Sequence, residues 1–321
     1  MSDAGNQTYA YFEGDFVPLE DAKVSVMTHA FNYGTGVFEG IRGYWSADDQ
    51  VVYVFRLREH YERFLKNTRM VCINVSFTAD DLVAMTLDLL GKDNFSRDVY
   101  IRPLAYKSSK QIGVSMKGVA DDLTIFAVPM GDYVPIDRGL SVMVSSWRRT
   151  PDNSIPVRAK ITGNYANAAL AKNEAVMNGY DEAIVLNDKG FAVEGSAENL
   201  FMVRRGELVT PTLADDILEG ITRDTVIELA ENELGIKTVQ RQIARSELYY
   251  ADEVFLTGTG GQLAGVISVD QRSVGDGKVG PISTRLQQIY FDVVKGHMPK
   301  YHDWLTPVAY HAAGRQQAVV S

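Results

Sequence analysis

A lysine stands between small and apolar residues in the stretch PVRAKITGNYANAALAKNEA, residues 156–175. Lys160 has Ala159 and Ile161 as neighbours, and it precedes an alanine-rich segment that is typical of a helix. An ordinary surface lysine is the commoner explanation of such a stretch taken alone. The functional alternative is a partly desolvated amine that attacks a carbonyl carbon and forms a Schiff base.

Two carboxylates lie close together in VEGSAENLF, residues 193–201. Glu194 sits among small residues in a pattern that alternates like a strand, and Glu198 follows four residues later. Such carboxylates are often solvated or cap a backbone N–H group, and the sequence leaves that explanation open. If Glu194 is buried instead, it needs a cationic or hydrogen-bonding partner, because an unpaired buried charge is costly.

Two further segments could hold an anion. In ILEGITRDTVIELA a helix begins near Gly220, so the N–H groups of Ile221 and Thr222 could face a phosphate, although a simple helix cap also explains them. FLTGTGGQ, residues 255–262, ends a strand in a turn that could wrap a phosphate or carboxylate, without dinucleotide or Walker A spacing. Together the amine, the carboxylate, the helix start and the turn suit an aldehyde-bearing phosphorylated cofactor.

The composition points to small molecules as partners. The 321-residue chain has a net charge of −9, which argues against a nucleic-acid or anionic-membrane surface. Its one cysteine, Cys72, and its five scattered histidines show no metal-ligand spacing, so we expect no metal. The first residues lack a secretory-signal pattern and no apolar stretch reaches membrane-spanning length, so we expect a cytoplasmic protein.

Hydrophobic periodicity and turn residues predict the elements that carry these segments. The fold class is α/β, with a hairpin that turns at 13–15 and with mixed or largely antiparallel pairing in the second half. The predicted helices are 79–91, which ends at Gly91, 164–178, 221–235 and 281–296. Glycine, proline and charge cluster at 131–139, which predicts a linker between domains 1–130 and 140–305, followed by a weakly periodic tail, 306–321.

The stretch EGSAENLFMVRRGELVTPTLADDILEGITR, residues 194–223, resembles the signature of class IV pyridoxal-phosphate aminotransferases. It has the E-x-S-x-x-N-L-F start, the L-x-T middle and the L-x-G-I-x-R end at the family's spacing. MTHAFNYGTGVFEGIRGY, residues 27–44, resembles the branched-chain amino-acid aminotransferases of that class. The resemblance implies fold type IV, with a smaller α/β N-terminal domain, a larger barrel-like C-terminal domain and pyridoxal 5′-phosphate between them.

The resemblance also implies roles for matching residues. Lys160 resembles the Schiff-base lysine, Tyr165 the tyrosine at the cofactor's phenolic oxygen, and Glu194 the carboxylate at its pyridine nitrogen. The implied cofactor site, with its phosphate contacts, consists of Lys160, Arg63, Tyr165, Glu194, Leu218, Ile221, Thr222 and Thr259. The implied substrate residues are Tyr33, Phe38, Gly40, Arg42, Arg102, Tyr133 and Gly260, together with Ile112 and Val114 on a loop that reaches a neighbouring subunit.

The implied activity is transfer of the amino group of L-leucine, L-isoleucine or L-valine to 2-oxoglutarate by a homodimer, with a higher assembly of dimers left open. Arg102 would meet the distal carboxylate of glutamate. After Thr259, Gly260-Gly261-Gln262 stands where many relatives carry Ala-Ala-Glu, so a wider pocket for bulkier or aromatic amino acids, or for amines, stays open. A broader transaminase that uses a D-amino acid or an (R)-amine with pyruvate is the alternative activity. An aminodeoxychorismate-type lyase and a non-catalytic homologue are the remaining alternatives.

Overall fold

The computed structural model describes residues 7–131 and 138–309, so most of the predicted linker, and Tyr133 with it, lies outside the described residues. The strands are β1 (Tyr9–Phe12), β2 (Asp15–Pro18), β3 (Gly36–Phe38), β4 (Ile41–Ser46), β5 (Val51–Phe55), β6 (Val99–Lys107), β7 (Asp121–Pro129), β8 (Leu140–Arg148), β9 (Glu182–Leu186), β10 (Phe191–Gly195), β11 (Asn199–Arg204), β12 (Glu207–Thr210), β13 (Thr238–Gln240), β14 (Ile243–Ala244), β15 (Glu253–Gly258), β16 (Gln262–Val269), β17 (Arg272–Ser273) and β18 (Leu305–Pro307). The α-helices are α1 (His29–Tyr33), α2 (Leu57–Met70), α3 (Ala79–Asp93), α4 (Tyr165–Met177), α5 (Ile221–Leu234) and α6 (Pro281–Val294). Short 3₁₀ helices cover Leu19–Asp21, Thr162–Asn164, Arg245–Tyr250 and Pro299–Trp304.

An antiparallel sheet of eight strands forms the first unit of the described chain. Its order is β18-β5-β4-β6-β7-β1-β2, and β3 pairs with β6 beside that row. Helices α2 and α3 cover the sheet and share a core with it that includes Val54, Phe64 and Ile101. Helix α3 starts at a capping box, in which the Thr78 hydroxyl accepts the N–H of Asp81 and the Asp81 carboxylate accepts the N–H of Thr78.

Six strands of the second sheet close into a barrel. Strand β8 pairs in parallel with β9 and β16, while the β9–β10, β10–β11, β11–β15 and β15–β16 pairs are antiparallel. A closed ring leaves no open edge, and its apolar side chains form one core that includes Val142, Leu200 and Leu256. The mixed α/β fold with its barrel confirms the predicted fold class and fold type IV.

Helices α5 and α6 join the two sheets. Tyr44 and Phe55 of the first sheet pack in one cluster with Phe201 and Phe255 of the barrel and with Tyr290 of α6. The buried hydroxyls of Tyr44 and Tyr290 are hydrogen-bonded at 3.0 Å. This apolar junction fixes the first sheet against the barrel and leaves a cavity where they meet.

The predicted hairpin at 13–15 is confirmed, since β1 and β2 pair on either side of it. The three helices predicted in the second half are also confirmed, with ends within two residues of those predicted. The stop at Gly91 is wrong: α3 continues to Asp93, and Asn94, with φ 51°, ends it by donating its N–H to the Leu90 carbonyl.

The chain returns to the first sheet at its C-terminal end. Strand β18, Leu305–Pro307, pairs with β5, so the first residues of the predicted tail, 306–321, belong to the first sheet. The division into two domains stays a prediction. Among the described residues, no helix combines the length and the apolar composition needed to cross a membrane.

Candidate active site

A cavity of about 1250 Å³ opens between the first sheet and the barrel. Both units contribute side chains to its wall, and the helix start predicted at 221 lies in it. The predicted residues that line the cavity are Lys160, Arg63, Tyr165, Glu194, Leu218, Ile221, Thr222, Thr259, Phe38, Gly40, Arg102 and Gly260. The fold therefore brings the whole predicted cofactor set, and part of the predicted substrate set, to one place.

Lys160 is held in this cavity by backbone pairing with β3. Its carbonyl accepts the N–H of Phe38 at 3.0 Å, and Ile161 forms an antiparallel bridge with Val37. Its half-buried Nζ donates to the Tyr165 hydroxyl at 2.6 Å and lies 5.2 Å from the ring centroid of Phe38. The amine thus lies beside aromatic rings and is hydrogen-bonded to a hydroxyl. Lys160 is therefore not an ordinary, solvated surface lysine.

Glu194 on β10 is buried, with only 3% of its surface exposed, so the solvated explanation does not apply. Its Oε1 accepts from the Asn199 amide and from the Leu218 N–H, both at 2.9 Å, and its Oε2 pairs with the Arg149 guanidinium at 2.9 Å. Burial raises the pKa of Glu194, and the positive charge of Arg149 and the Leu218 N–H offset part of that rise. The carboxylate therefore has the partners that its burial demands.

Arg63 and the start of α5 provide donors for an anion. The first turn of α5 has no side-chain cap, and Gly220, Ile221 and Thr222 face the cavity. Arg63, on α2, donates from Nη1 to the Glu219 carbonyl at 2.6 Å, so its guanidinium lies beside the segment that enters α5. Free N–H groups, the positive end of a helix and an arginine are the combination that phosphate prefers.

Gly220 allows a close approach between β11 and the segment that precedes α5. A Cβ atom at Gly220 would stand 1.9 Å from the Asn199 Oδ1. The amide nitrogen of Asn199 donates to Glu194 and, at 3.0 Å, to the Leu218 carbonyl. One asparagine therefore fixes the Glu194 carboxylate relative to the start of α5.

Arg102, Phe38 and Gly40 lie together on another wall of the cavity. The guanidinium carbon of Arg102 lies 4.4 Å from the Phe38 ring centroid, and its Nη2 donates to the Tyr100 hydroxyl at 2.9 Å. A Cβ atom at Gly40 would stand 2.2 Å from that hydroxyl, so a larger residue would displace it. Aromatic faces beside a cation can accept both an apolar chain and a chain that ends in a carboxylate.

Arg42 does not line the cavity, although the sequence predicts it in the substrate pocket. It is buried, and its guanidinium donates to the Gly260 carbonyl at 3.2 Å and to the Met130 and Gly131 carbonyls at 3.1 and 2.8 Å. Arg42 thus fixes the turn between β15 and β16, which carries Thr259 and Gly260, against the first sheet.

Tyr33, Ile112 and Val114 also lie away from the cavity wall of the single chain. The Tyr33 hydroxyl accepts the N–H of Gly113 at 2.8 Å and so holds the loop between β6 and β7. On that loop Ile112 and Val114 are 72% and 80% exposed. These side chains are directed to solvent rather than to the cavity of their own chain.

Several residues that contact this site were not predicted to belong to it, among them Glu39, Tyr100, Arg149 and Asn199. Arg149 follows β8 and meets Glu194 on β10, and sequence spacing does not show such a contact across the barrel. Glu39 had a visible signal, because it is a charge inside the otherwise apolar segment GVFEGI.

Comparisons with known proteins agree with this geometry. Residues 36–269 match the family described as amino-transferase class IV. The chain is 47% identical over 300 residues, covering 94% of it and 96% of the relative, to a probable branched-chain-amino-acid aminotransferase of Aquifex aeolicus. A branched-chain aminotransferase of Thermoproteus uzoniensis, solved with norvaline, has a TM-score of 0.90 and 44% identity, over 94% of this chain and 100% of that one. A branched-chain amino acid aminotransferase of Thermobaculum terrenum, solved in its PLP form, has a TM-score of 0.90 and 38% identity, over 95% of this chain and 99% of that one.

Proposed function

This chain belongs to the amino-transferase class IV family, and we propose that it transfers the amino group of L-leucine, L-isoleucine or L-valine to 2-oxoglutarate. The products are the branched 2-oxo acids and glutamate. One observation carries the proposal: Lys160, Glu194, Arg63 and the start of α5 line one cavity, beside a wall that has both aromatic and cationic character. The names of the similar enzymes point to branched-chain amino acids as the donors.

The family uses pyridoxal 5′-phosphate, and the donor set of the cavity fits that cofactor. Lys160 supplies the amine for its aldehyde group, and Tyr165 supplies a hydroxyl for its phenolic oxygen. Glu194 would face the ring nitrogen, and Leu218, whose N–H donates to the Glu194 carboxylate, would help to hold the pyridine ring. Arg63, Ile221, Thr222 and Thr259 would hold the phosphate.

When bound, pyridoxal phosphate supplies the electron sink that allows an amino acid to lose its α-proton. Lys160 then moves that proton from the substrate α-carbon to Nζ, with the Tyr165 hydroxyl, 2.6 Å away, fixing the amine. Glu194 would keep a proton at the ring nitrogen, because burial of this carboxylate strengthens a charge-assisted hydrogen bond. The rings of Phe38 and Tyr165, with centroids 5.2 and 5.1 Å from Nζ, cover part of the amine.

The substrate side chain would lie between Phe38, Gly40 and Arg102. Aromatic faces take the branched alkyl group, while the Arg102 guanidinium pairs with the distal carboxylate of 2-oxoglutarate. The α-carboxylate would face the backbone of Thr259 and Gly260, in a turn that Arg42 holds in place. Tyr133, outside the described residues, stays a predicted part of this pocket.

We also propose that the chain forms a homodimer in which the loop with Ile112 and Val114 reaches the partner's cavity. The segment with Thr28 lies beside that loop through a bridge to Lys110, and both segments carry exposed apolar side chains. A group of exposed apolar side chains is typical of a protein–protein contact. The exposed residues of the two segments are Val24, Val26, Met27, Phe31, Ile112, Val114 and Met116. A cytoplasmic location and a higher assembly of dimers stay predictions.

A panel of amino donors tests the function. L-valine, L-leucine, L-isoleucine, L-phenylalanine, D-alanine and both enantiomers of 1-phenylethylamine are each assayed with 2-oxoglutarate and with pyruvate. We expect strong activity with the L-aliphatic donors and 2-oxoglutarate. Activity confined to D-alanine or the (R)-amine with pyruvate would overturn the proposal, and so would product release from an aminodeoxychorismate-like substrate without any acceptor.

A further inference from the structure

Glu39 is a buried charge to which the proposed reaction assigns no task. It follows β3 and has no exposed surface. Its carboxylate accepts from Arg63 Nε at 2.8 Å, from Arg63 Nη2 at 2.7 Å and from His60 Nδ1 at 2.9 Å. Three donors therefore converge on one carboxylate at the edge of the cavity.

The charge state of this cluster is well defined. Burial alone would raise the pKa of Glu39, but the Arg63 charge and the hydrogen bonds from His60 and Arg63 outweigh it and hold that pKa well below its usual range. Burial lowers the pKa of His60, so this imidazole is neutral near pH 7 and its Nδ1 donates to the carboxylate. Glu39 is therefore an anion that accepts from one cation and from one neutral ring.

These bonds hold the Arg63 guanidinium through all three of its nitrogen atoms. Nε and Nη2 are held by Glu39, and Nη1 is held by the Glu219 carbonyl, one residue before Gly220 and the start of α5. A guanidinium has five N–H groups, and three of them are used here. The other two are left for a ligand at the start of α5.

We propose that Glu39 is a positioning residue for the phosphate of the cofactor. Its carboxylate holds the Arg63 guanidinium in place before the ligand arrives, so binding does not have to immobilise a flexible side chain. The anion also lowers the net positive charge of the site, which by itself would weaken phosphate binding. The fixed position of the Arg63 guanidinium outweighs this loss of positive charge. This proposal rests on the proposed function, because it needs a phosphorylated cofactor in the cavity.

The substitution Glu39→Gln tests this role, because an amide offers one acceptor and one donor where the carboxylate offers two acceptors. The full-length chain is titrated with pyridoxal 5′-phosphate and with pyridoxal, which lacks the phosphate. We expect the dissociation constant of pyridoxal phosphate to rise about tenfold and that of pyridoxal to change less than about twofold, since one side chain loses its fixed position. Glu62→Gln, at the half-exposed neighbour of Arg63, is the matched control and leaves both constants unchanged.

Equal rises for the two ligands would mean that Glu39 only supports the fold, and an unchanged or lower constant for pyridoxal phosphate would mean that charge outweighs geometry. Either result overturns the inference. Thermal unfolding checks the fold of each variant, and if Glu39→Gln does not fold, Glu39→Asp carries the same comparison with a smaller expected loss.

In an Arg63→Ala background, adding Glu39→Gln should weaken the binding of pyridoxal phosphate no further, because the group that Glu39 positions is gone and only its unfavourable negative charge is removed. A further loss there would show that Glu39 acts on some other group and would overturn the inference. A wild-type chain that binds pyridoxal phosphate no more tightly than pyridoxal would overturn the proposed function itself.

Discussion

Arg102→Ala should lower kcat/KM for 2-oxoglutarate far more than kcat/KM for an acceptor with an apolar side chain. The guanidinium of Arg102 lies on the Phe38 ring and donates to the Tyr100 hydroxyl, while its Nε has no hydrogen-bond partner among the described residues. It therefore keeps donor capacity for the distal carboxylate of 2-oxoglutarate. An acceptor with an apolar side chain, such as 4-methyl-2-oxopentanoate, has no group that needs those donors.

The size of the effect follows from these contacts. Removing one partner of a desolvated, hydrogen-bonded charge pair costs roughly 2–5 kcal/mol. Because Arg102 is only half-buried, we take about 3 kcal/mol, which is roughly a 150-fold loss of kcat/KM for 2-oxoglutarate. For 4-methyl-2-oxopentanoate only the stacking on Phe38 is lost, and a cation–aromatic contact of about 0.5–1 kcal/mol predicts roughly a two- to fivefold loss.

The assay is kcat/KM for both acceptors with L-valine as the common donor, in wild type, Arg102→Ala and Arg58→Ala. Arg58 lies half-exposed on α2, outside the cavity wall, so its replacement should change neither value. Equal losses for both acceptors in Arg102→Ala would refute the reasoning, because they would place Arg102 outside acceptor discrimination.

Three further predictions concern particular positions. Burial raises the pKa of Asp93 to about 7, partly offset by the N–H of Tyr9, so the folded chain loses stability as pH rises from about 4 to 7, by up to about 4 kcal/mol. Asp93→Asn should remove this dependence of stability on pH. Denaturant unfolding at pH 5 and pH 8 measures it, and an equal change in the free energy of unfolding in variant and wild type would contradict the raised pKa of Asp93. Gly220→Ala should weaken cofactor binding at least about tenfold, because the new Cβ displaces Asn199, and an unchanged titration would count against that contact. Gly91→Ala should raise the free energy of unfolding by about 0.5–1 kcal/mol, since the position is helical and the nearest atom to a Cβ is 3.6 Å away; a loss of stability would refute this.

Local patterns predicted the helices and the hairpin well, and failed where two local signals competed. Helix α5 starts at 221 and α6 at 281, as their periodicity predicts. At Gly91 a glycine late in a periodic segment looked like a helix stop, but Asn94 three residues later takes the left-handed conformation instead. Closure of the barrel depends on pairs such as Glu194 with Asn199 and Val142 with Glu182, and periodicity carries no information about such pairings.

The site was predictable where its residues stand in one motif and was missed where contacts cross the fold. Lys160, Tyr165 and Glu194 belong to segments whose residue types indicate their chemistry, and the cavity contains all three. Arg149 and Glu39, which follow β8 and β3, contact Glu194 and Arg63 across the fold, so only the folded chain shows these pairs. For Arg42 the motif suggests a substrate contact, but in the folded chain its guanidinium donates to backbone carbonyls.

Mass spectrometry after borohydride reduction tests the central claim most directly. The chain is saturated with pyridoxal 5′-phosphate, reduced and digested, and the peptide that bears the phosphopyridoxyl mass is sequenced. The account predicts the adduct on Lys160, and no adduct in Lys160→Ala. An adduct on another lysine, or none in cofactor-replete wild type, would contradict it.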